Sequence, residues 1–297
     1  MENRFLITHY YHSGFSVSCR NTLLIFDYWR GEQQDLPLSA QINTELLQRY
    51  QQVYVFISHE HPDHFDPVVY EWKTLDCVRY IVSSDMPVGT RGKRMAPGYI
   101  LALSADLSVT AFPSTDLGVS FLVRFYGVVF FHAGDLNFWH WRDESSASEI
   151  ADAEKEFNEA LSSLSGESID IAFFPVDPRQ GTMYEAGANS FILSIKPKLL
   201  IPMHYFHRED AAIDFSRLAR NRSTEVIPMT DYGSQILIDY GDEGKAHITI
   251  LTLHPEDNDP DSTAAKETNM VIDDNNPFAG TEAPVILDKE KDGSSTT

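Results

Sequence analysis

Short apolar runs broken by turn residues dominate roughly the first 250 positions. Phe5–Tyr11, Phe15–Cys19 and Thr22–Tyr28 read as strands at hairpin spacing, the first pair joined by His12-Ser13-Gly14. That spacing predicts an antiparallel meander. Val53–Ile57 is apolar throughout, as a buried strand is. Val78–Val82, Val109–Pro113, Val119–Phe125, Val128–Phe131, Ile169–Phe174 and Lys198–Pro202 repeat the signal. Later strands are expected near Glu225–Pro228, Gln235–Asp239 and His247–Leu253. Helical periodicity falls between them, at Ser39–Gln52, from Asp66-Pro67 onward, and at Ala147–Leu164, Glu185–Ile195 and Glu209–Arg220. Proline suits the first helical turn, where its missing N–H costs nothing. Residues 83–98, rich in Gly, Pro and Arg, read as a loop over a cleft.

The chemistry is concentrated just past Val53–Ile57, in Ser58-His59-Glu60-His61-Pro62-Asp63-His64. The chain has eleven histidines, so three within six residues are a strong signal. The helical zinc motif is excluded, because the position four after His59 is Asp63. Pro62 disfavours helix at His61, which predicts an extended loop. There His59, His61 and Asp63 alternate to one side, and His64 turns towards a second cation. Asp135, Asp177 and His204 also follow apolar strands. Strand ends on one edge form a rim where clefts lie.

His-x-His-x-Asp-His after an apolar strand resembles the metallo-β-lactamase superfamily of metal-dependent hydrolases. His132-Ala133-Gly134-Asp135 and Pro202-Met203-His204 extend the resemblance over about residues 3–250. With His12-Ser13-Gly14-Phe15 they look like the branch related to ascorbate-6-phosphate lactonases and N-acyl phosphatidylethanolamine phospholipase D. The resemblance implies an α/β (α+β) fold, a four-layer αββα sandwich with the metals at one edge. It implies two zinc ions, with manganese or iron as alternatives. His59 and His61 would serve the first and Asp63, His64 and His204 the second, with Asp135 bridging. Asp63 would orient a metal-activated hydroxide attacking a small ester, lactone or phosphodiester.

This sequence departs from the family where a further histidine is expected, for Pro113-Ser114-Thr115-Asp116-Leu117-Gly118 contains none. His132 is the favoured substitute, being the one histidine between His64 and Asp135. Asp116 is the other, hardening the site towards manganese or iron; otherwise the first site is incomplete. His207, Tyr205 and Tyr184 are candidate proton donors. Arg179 and Tyr205 are candidate substrate contacts, although Arg179 also suits a structural pair with Asp177. Arg91, Lys93 and Arg94 are either a solvated loop or an anion clamp. Trp139 and Trp141 either wall the cleft or pack in the core. His12 and Asp27 read as turn residues that can also approach the site.

Composition narrows the partners. At 297 residues with a formal charge of −21, the chain repels phosphate backbones, so nucleic acid is an unfavoured partner. A small, anionic substrate at a local cationic group is the expectation. Two cysteines make no disulfide framework and fit a cytoplasmic setting. No apolar run reaches membrane-spanning length. Residues 1–253 read as one hydrolase domain. Residues 254–297 carry eleven acidic residues against three lysines and read as a disordered acidic tail. The competing functions are a nuclease of the same superfamily, a di-iron oxygen- or NO-reducing protein, and a catalytically degenerate binding or regulatory module.

Overall fold

The computed structural model describes residues 3–31, 40–219, 223–240, 246–252 and 266–272. The first meander forms as β1 (Asn3–Tyr11), β2 (Gly14–Cys19) and β3 (Thr22–Phe26). After α1 (Thr44–Gln48) the chain turns to parallel pairing, with β4 (Gln52–Ile57), β5 (Val78–Ser83) and β6 (Lys93–Met95) following β3 in space.

The same order is then repeated. β7 (Ile100–Ser104), β8 (Leu107–Pro113), β9 (Val119–Phe125) and β10 (Val128–His132) make an antiparallel meander. Beyond α2 (Ala147–Ser163), β11 (Ile171–Pro175), α3 (Ala186–Ile195), β12 (Leu199–Met203), α4 (Glu209–Leu218) and β13 (Glu225–Val226) extend that sheet in parallel. Finally β14 (Gln235–Tyr240), β15 (Ala246–Thr252) and β16 (Lys266–Ile272) join the first sheet beside β1.

The two sheets pack face to face through aromatic rings. Phe5 meets Phe125 and Phe130, Phe15 and Phe26 meet Phe173, and Phe56 meets Phe121. The outer face of the second sheet is covered by helices, with Phe191 of α3 stacked on Phe131 and Phe174. On the other outer face, Leu47 of α1 and Trp72 close a second cluster over Ile25, Val53 and Val55. The result is the four-layer αββα sandwich.

Three local expectations differ. The helix expected over Ser39–Gln52 is confined to Thr44–Gln48, because Asn43 caps it by accepting from the Leu46 N–H at 2.8 Å. Residue 39 lies outside the described residues. The loop expected over 83–98 contains β6, and β7 follows it as the far edge of the second sheet. Within the expected tail, Lys266–Ile272 pairs antiparallel with β15 around the short apolar run Met270-Val271-Ile272. The remainder of 254–297 lies outside the described residues. No helix among the described residues is long and apolar enough to cross a membrane.

Phe173 is fully buried between the sheets, against Phe15 at 4.6 Å. Phe173→Ala is expected to lower unfolding free energy by about 3–5 kcal/mol, measured by urea denaturation. A loss under 1 kcal/mol would show that the inter-sheet core does not depend on this ring.

Candidate metal centre

The C-terminal ends of β1, β3, β4, β10, β11 and β12 deliver His12, Asp27, His59, Asp135, Asp177 and His204 to one region. After β4 the chain is not extended as expected. The His64 and Phe65 N–H groups donate to the His61 carbonyl at 3.0 and 3.1 Å. This tight turn sends His64 inward and leaves Asp63 half-buried near His12. Pro62 suits such a turn, since its fixed φ matches position i+1 and no N–H is lost.

Asp135 is the centre of the cluster. His59 Nε2 and His61 Nδ1 lie 3.1 and 3.6 Å from Asp135 Oδ2. His64 Nε2 and His204 Nε2 lie 2.8 and 3.2 Å from Oδ1. His204 Nε2 is also 3.9 Å from Asp63 Oδ2, and Asp116 groups with His61 and Asp135. The nitrogens are close to the carboxylate but not along hydrogen-bond directions. His59 Nε2, His64 Nε2, His204 Nε2 and Asp135 Oδ1 are all buried without a hydrogen-bond partner. Each such atom costs about 1–3 kcal/mol unless something satisfies it. Imidazole nitrogens and carboxylate oxygens converging in this way are the donor set of a divalent transition metal, so the residues fit the expected cations.

A second layer holds these donors in place. The Asp27 carboxylate accepts from the Ser58 N–H at 2.8 Å and from the Ser58 hydroxyl at 2.5 Å, and lies 2.8 Å from His64 Nδ1. Ser58 Oγ is 2.9 Å from His59 Nδ1. Asp177 lies 3.0 Å from His204 Nδ1 and is clamped by Arg179. Carboxylates on the remote nitrogen fix the tautomer that leaves Nε2 as donor. Backbone strain is concentrated here too, with positive φ at His12, Asp27, His204 and Phe206. Gly118 has φ +80°, and a Cβ there would strike the Ser58 carbonyl.

The field favours positive charge at the centre. Burial alone would raise the Asp135 carboxyl, but His64, His204 and His59 hold it well below the usual range. Burial opposes charge on His64, yet Asp135 and Asp27 hold that imidazole well above its ordinary value. Burial and the neighbouring His204 push His12 down to about 3.

No protein-family model and no curated protein sequence matches the chain. Solved structures do. Igni18, a metallo hydrolase from Ignicoccus hospitalis, is similar over 79% of this chain and 98% of its own, at 18% identity and TM-score 0.58. The metallo-β-lactamase fold protein YhfI from Bacillus subtilis matches 80% of this chain and 99% of its own, at 13% identity and TM-score 0.52. CmlA, a diiron β-hydroxylase from Streptomyces venezuelae, matches 78% of this chain and 53% of its own, at 13% identity and TM-score 0.50. The chain has the metallo-β-lactamase fold.

Within this metallo-β-lactamase fold the expected site residues separate into two groups. His59, His61, Asp63, His64, Asp135 and His204 are brought together. His132 is not, although it was the favoured substitute. Its Nε2 bonds the Ser13 carbonyl at 2.9 Å and its Nδ1 accepts from the Gly134 N–H at 3.2 Å. Its ring stacks on Phe26 inside the sandwich. Alternation with the inward-facing Phe130 is the signal that places it there. Asp116 takes the place beside His61 instead.

The three proton-donor candidates lie elsewhere. Tyr205 is a core residue donating to the Met229 carbonyl at 2.6 Å, so it is not a substrate contact either. His207 is exposed between Tyr11 and Tyr232, and Tyr184 donates to the Ala211 carbonyl. The cleft of about 320 Å³ is walled by Trp139, Trp141 and Arg179 beside His61, Asp63 and Asp116. Arg91 and Lys93 line a different groove, and Arg94 is engaged by the Ser84, Met86 and Pro87 carbonyls.

The sequence offers Asp27 as a turn residue that can approach the site, and marks Ser58 by nothing beyond its place after a strand. Asp27→Asn is expected to keep the fold and lower metal affinity about 10- to 100-fold in competition with a chelator. Unchanged affinity would show that the Asp27–His64 contact does not orient a metal ligand.

Proposed function

We propose that the protein is a metal-dependent hydrolase of a small anionic ester, lactone or phosphodiester, with one divalent cation on each side of Asp135. The observation that carries this reading is the set of buried, unpartnered imidazole nitrogens aimed at the two oxygens of one carboxylate. So costly a set argues for cations in the site and against a binding module that holds none. His59, His61, Asp116 and Asp135 would hold the first cation, and Asp63, His64, Asp135 and His204 the second. Bound there, two cations supply Lewis acidity that ionises water near neutral pH and stabilises a developing oxyanion.

The chain's own groups do the rest. Asp63 is half-buried at the mouth of the cleft and orients the attacking oxygen. Arg179 uses Nε and Nη2 on Asp177 and lies over the Phe206 ring at 4.2 Å. Its Nη1 remains for an anionic substrate group. Trp139 and Trp141 stack at 6.0 Å and cover the apolar part of the substrate. Each position offers two imidazole nitrogens and two carboxylate oxygens, a set that suits zinc, and Asp116 makes the first harder than a histidine there would. That carboxylate also supports a second reading, a di-iron centre, which an iron content with visible absorption would favour. Cys19 and Cys77 are free thiols, in keeping with a cytoplasmic setting.

The test is metal analysis of the purified chain with a hydrolysis panel of lactones, carboxylic esters and phosphodiesters. The expectation is close to two metals per chain and turnover of an anionic member. Asp135→Ala is expected to lose metal and at least about 10²-fold in rate. Arg179→Ala is expected to raise KM roughly 10-fold or more with kcat less affected, since a charge-assisted hydrogen bond contributes about 1.5–3 kcal/mol. Fewer than about one metal per chain, with no turnover, would overturn the hydrolase reading.

A further inference from the structure

We propose that His12 is a fifth donor to the second cation position, beside Asp63, His64, Asp135 and His204. This rests on the reading that the cluster holds cations. His12 belongs to the β1–β2 turn, far in sequence from the histidine-rich loop, where the sequence marks it as a turn residue that can approach the site. In the structure its imidazole is buried and neither ring nitrogen has a hydrogen-bond partner. Its ring centroid lies 4.0 Å from that of His204 and 5.6 Å from that of His64. Its Nε2 is 3.4 Å from Asp63 Oδ2, without hydrogen-bond alignment.

Two other histidines show why this is not ordinary core packing. His132 is equally buried, and both its nitrogens are bonded to backbone groups. His9 also has unpartnered nitrogens, but it stacks on Phe15 beside Tyr205 and Tyr232. Only His12 of the three joins a group whose ligand atoms, from His12, Asp63, His64 and His204, all lie within 4.8 Å of one another. Metal bonds of about 2.1 Å place adjacent donors about 3–3.5 Å apart. The separations here are 2.8 and 3.2 Å to Asp135 Oδ1 and 3.4 and 3.9 Å to Asp63 Oδ2.

The backbone supports the same role. His12 has φ +55°, a strained conformation for a residue with a Cβ. The turn is held on both sides: the His12 carbonyl accepts from the His204 N–H at 3.4 Å, and the Ser13 carbonyl bonds His132. Gly14 leaves no room for a Cβ, which would sit 2.9 Å from the Tyr11 carbonyl oxygen. A strained turn pinned against a metal ligand aims a side chain at that metal. The second position then has three nitrogens and two oxygens, against two of each at the first. It is the tighter of the two for zinc or cobalt.

The test is 15N-histidine NMR of the zinc-loaded full chain, in which a coordinated ring nitrogen is distinguished by its chemical shift. Five coordinated imidazoles are expected: His12, His59, His61, His64 and His204. His12→Gln is expected to remove one of these and to release one zinc to chelator at least tenfold faster. Four coordinated imidazoles with His12 free would overturn the proposal and leave the hydrolase reading intact. No coordinated imidazole at all would overturn both. The wild-type count decides the matter even if His12→Gln does not fold.

Discussion

One buried carboxylate organises the functional half of this molecule. Asp135 is surrounded by imidazole nitrogens, two facing each oxygen. Without a cation between them, these groups form a costly assembly in a low-dielectric interior. With cations present, the same closeness becomes coordination. The fold therefore commits to metal binding through what it leaves unsatisfied as much as through what it bonds.

The sandwich makes that commitment possible. Each sheet begins as an antiparallel meander and ends in parallel strands, so both present C-terminal strand ends to one rim. The first sheet brings His12, Asp27 and His59, and the second brings Asp135, Asp177 and His204. Phe26, Phe173 and His132 pack just below the cluster and fix the distance between the sheets. Asp27 and Asp177 then act symmetrically, each holding one histidine of the cluster through its far nitrogen. Arg179 ties the second of these carboxylates to the cleft wall.

Much of this was legible in the sequence. The apolar runs located nearly every strand around the site, because buried parallel strands are apolar on both faces. The spacing of His59, His61, Asp63 and His64 located the loop that carries most of the cluster, although its turn depends on a hydrogen bond to the His61 carbonyl that residue types alone do not specify. The failure at His132 is instructive. Nearness to Asp135 in sequence does not turn its ring towards the cluster, because strand alternation sends that ring into the core. Asp116, from a different loop, reaches the cluster instead. Asp27 and His12 reach the cluster through long-range convergence, to which short-range patterning is blind. Helix α1 was overextended because Asn43 sets its start, and β7 was missed because it is a half-exposed edge strand.

The central claim is that two cations share Asp135, and anomalous X-ray scattering from a metal-replete crystal tests it most directly. The expected map has two peaks about 3.5–4 Å apart, one on each side of the Asp135 carboxylate. A map with no peak there, or with a single peak that leaves either His59 and His61 or His64 and His204 without a metal, would contradict it.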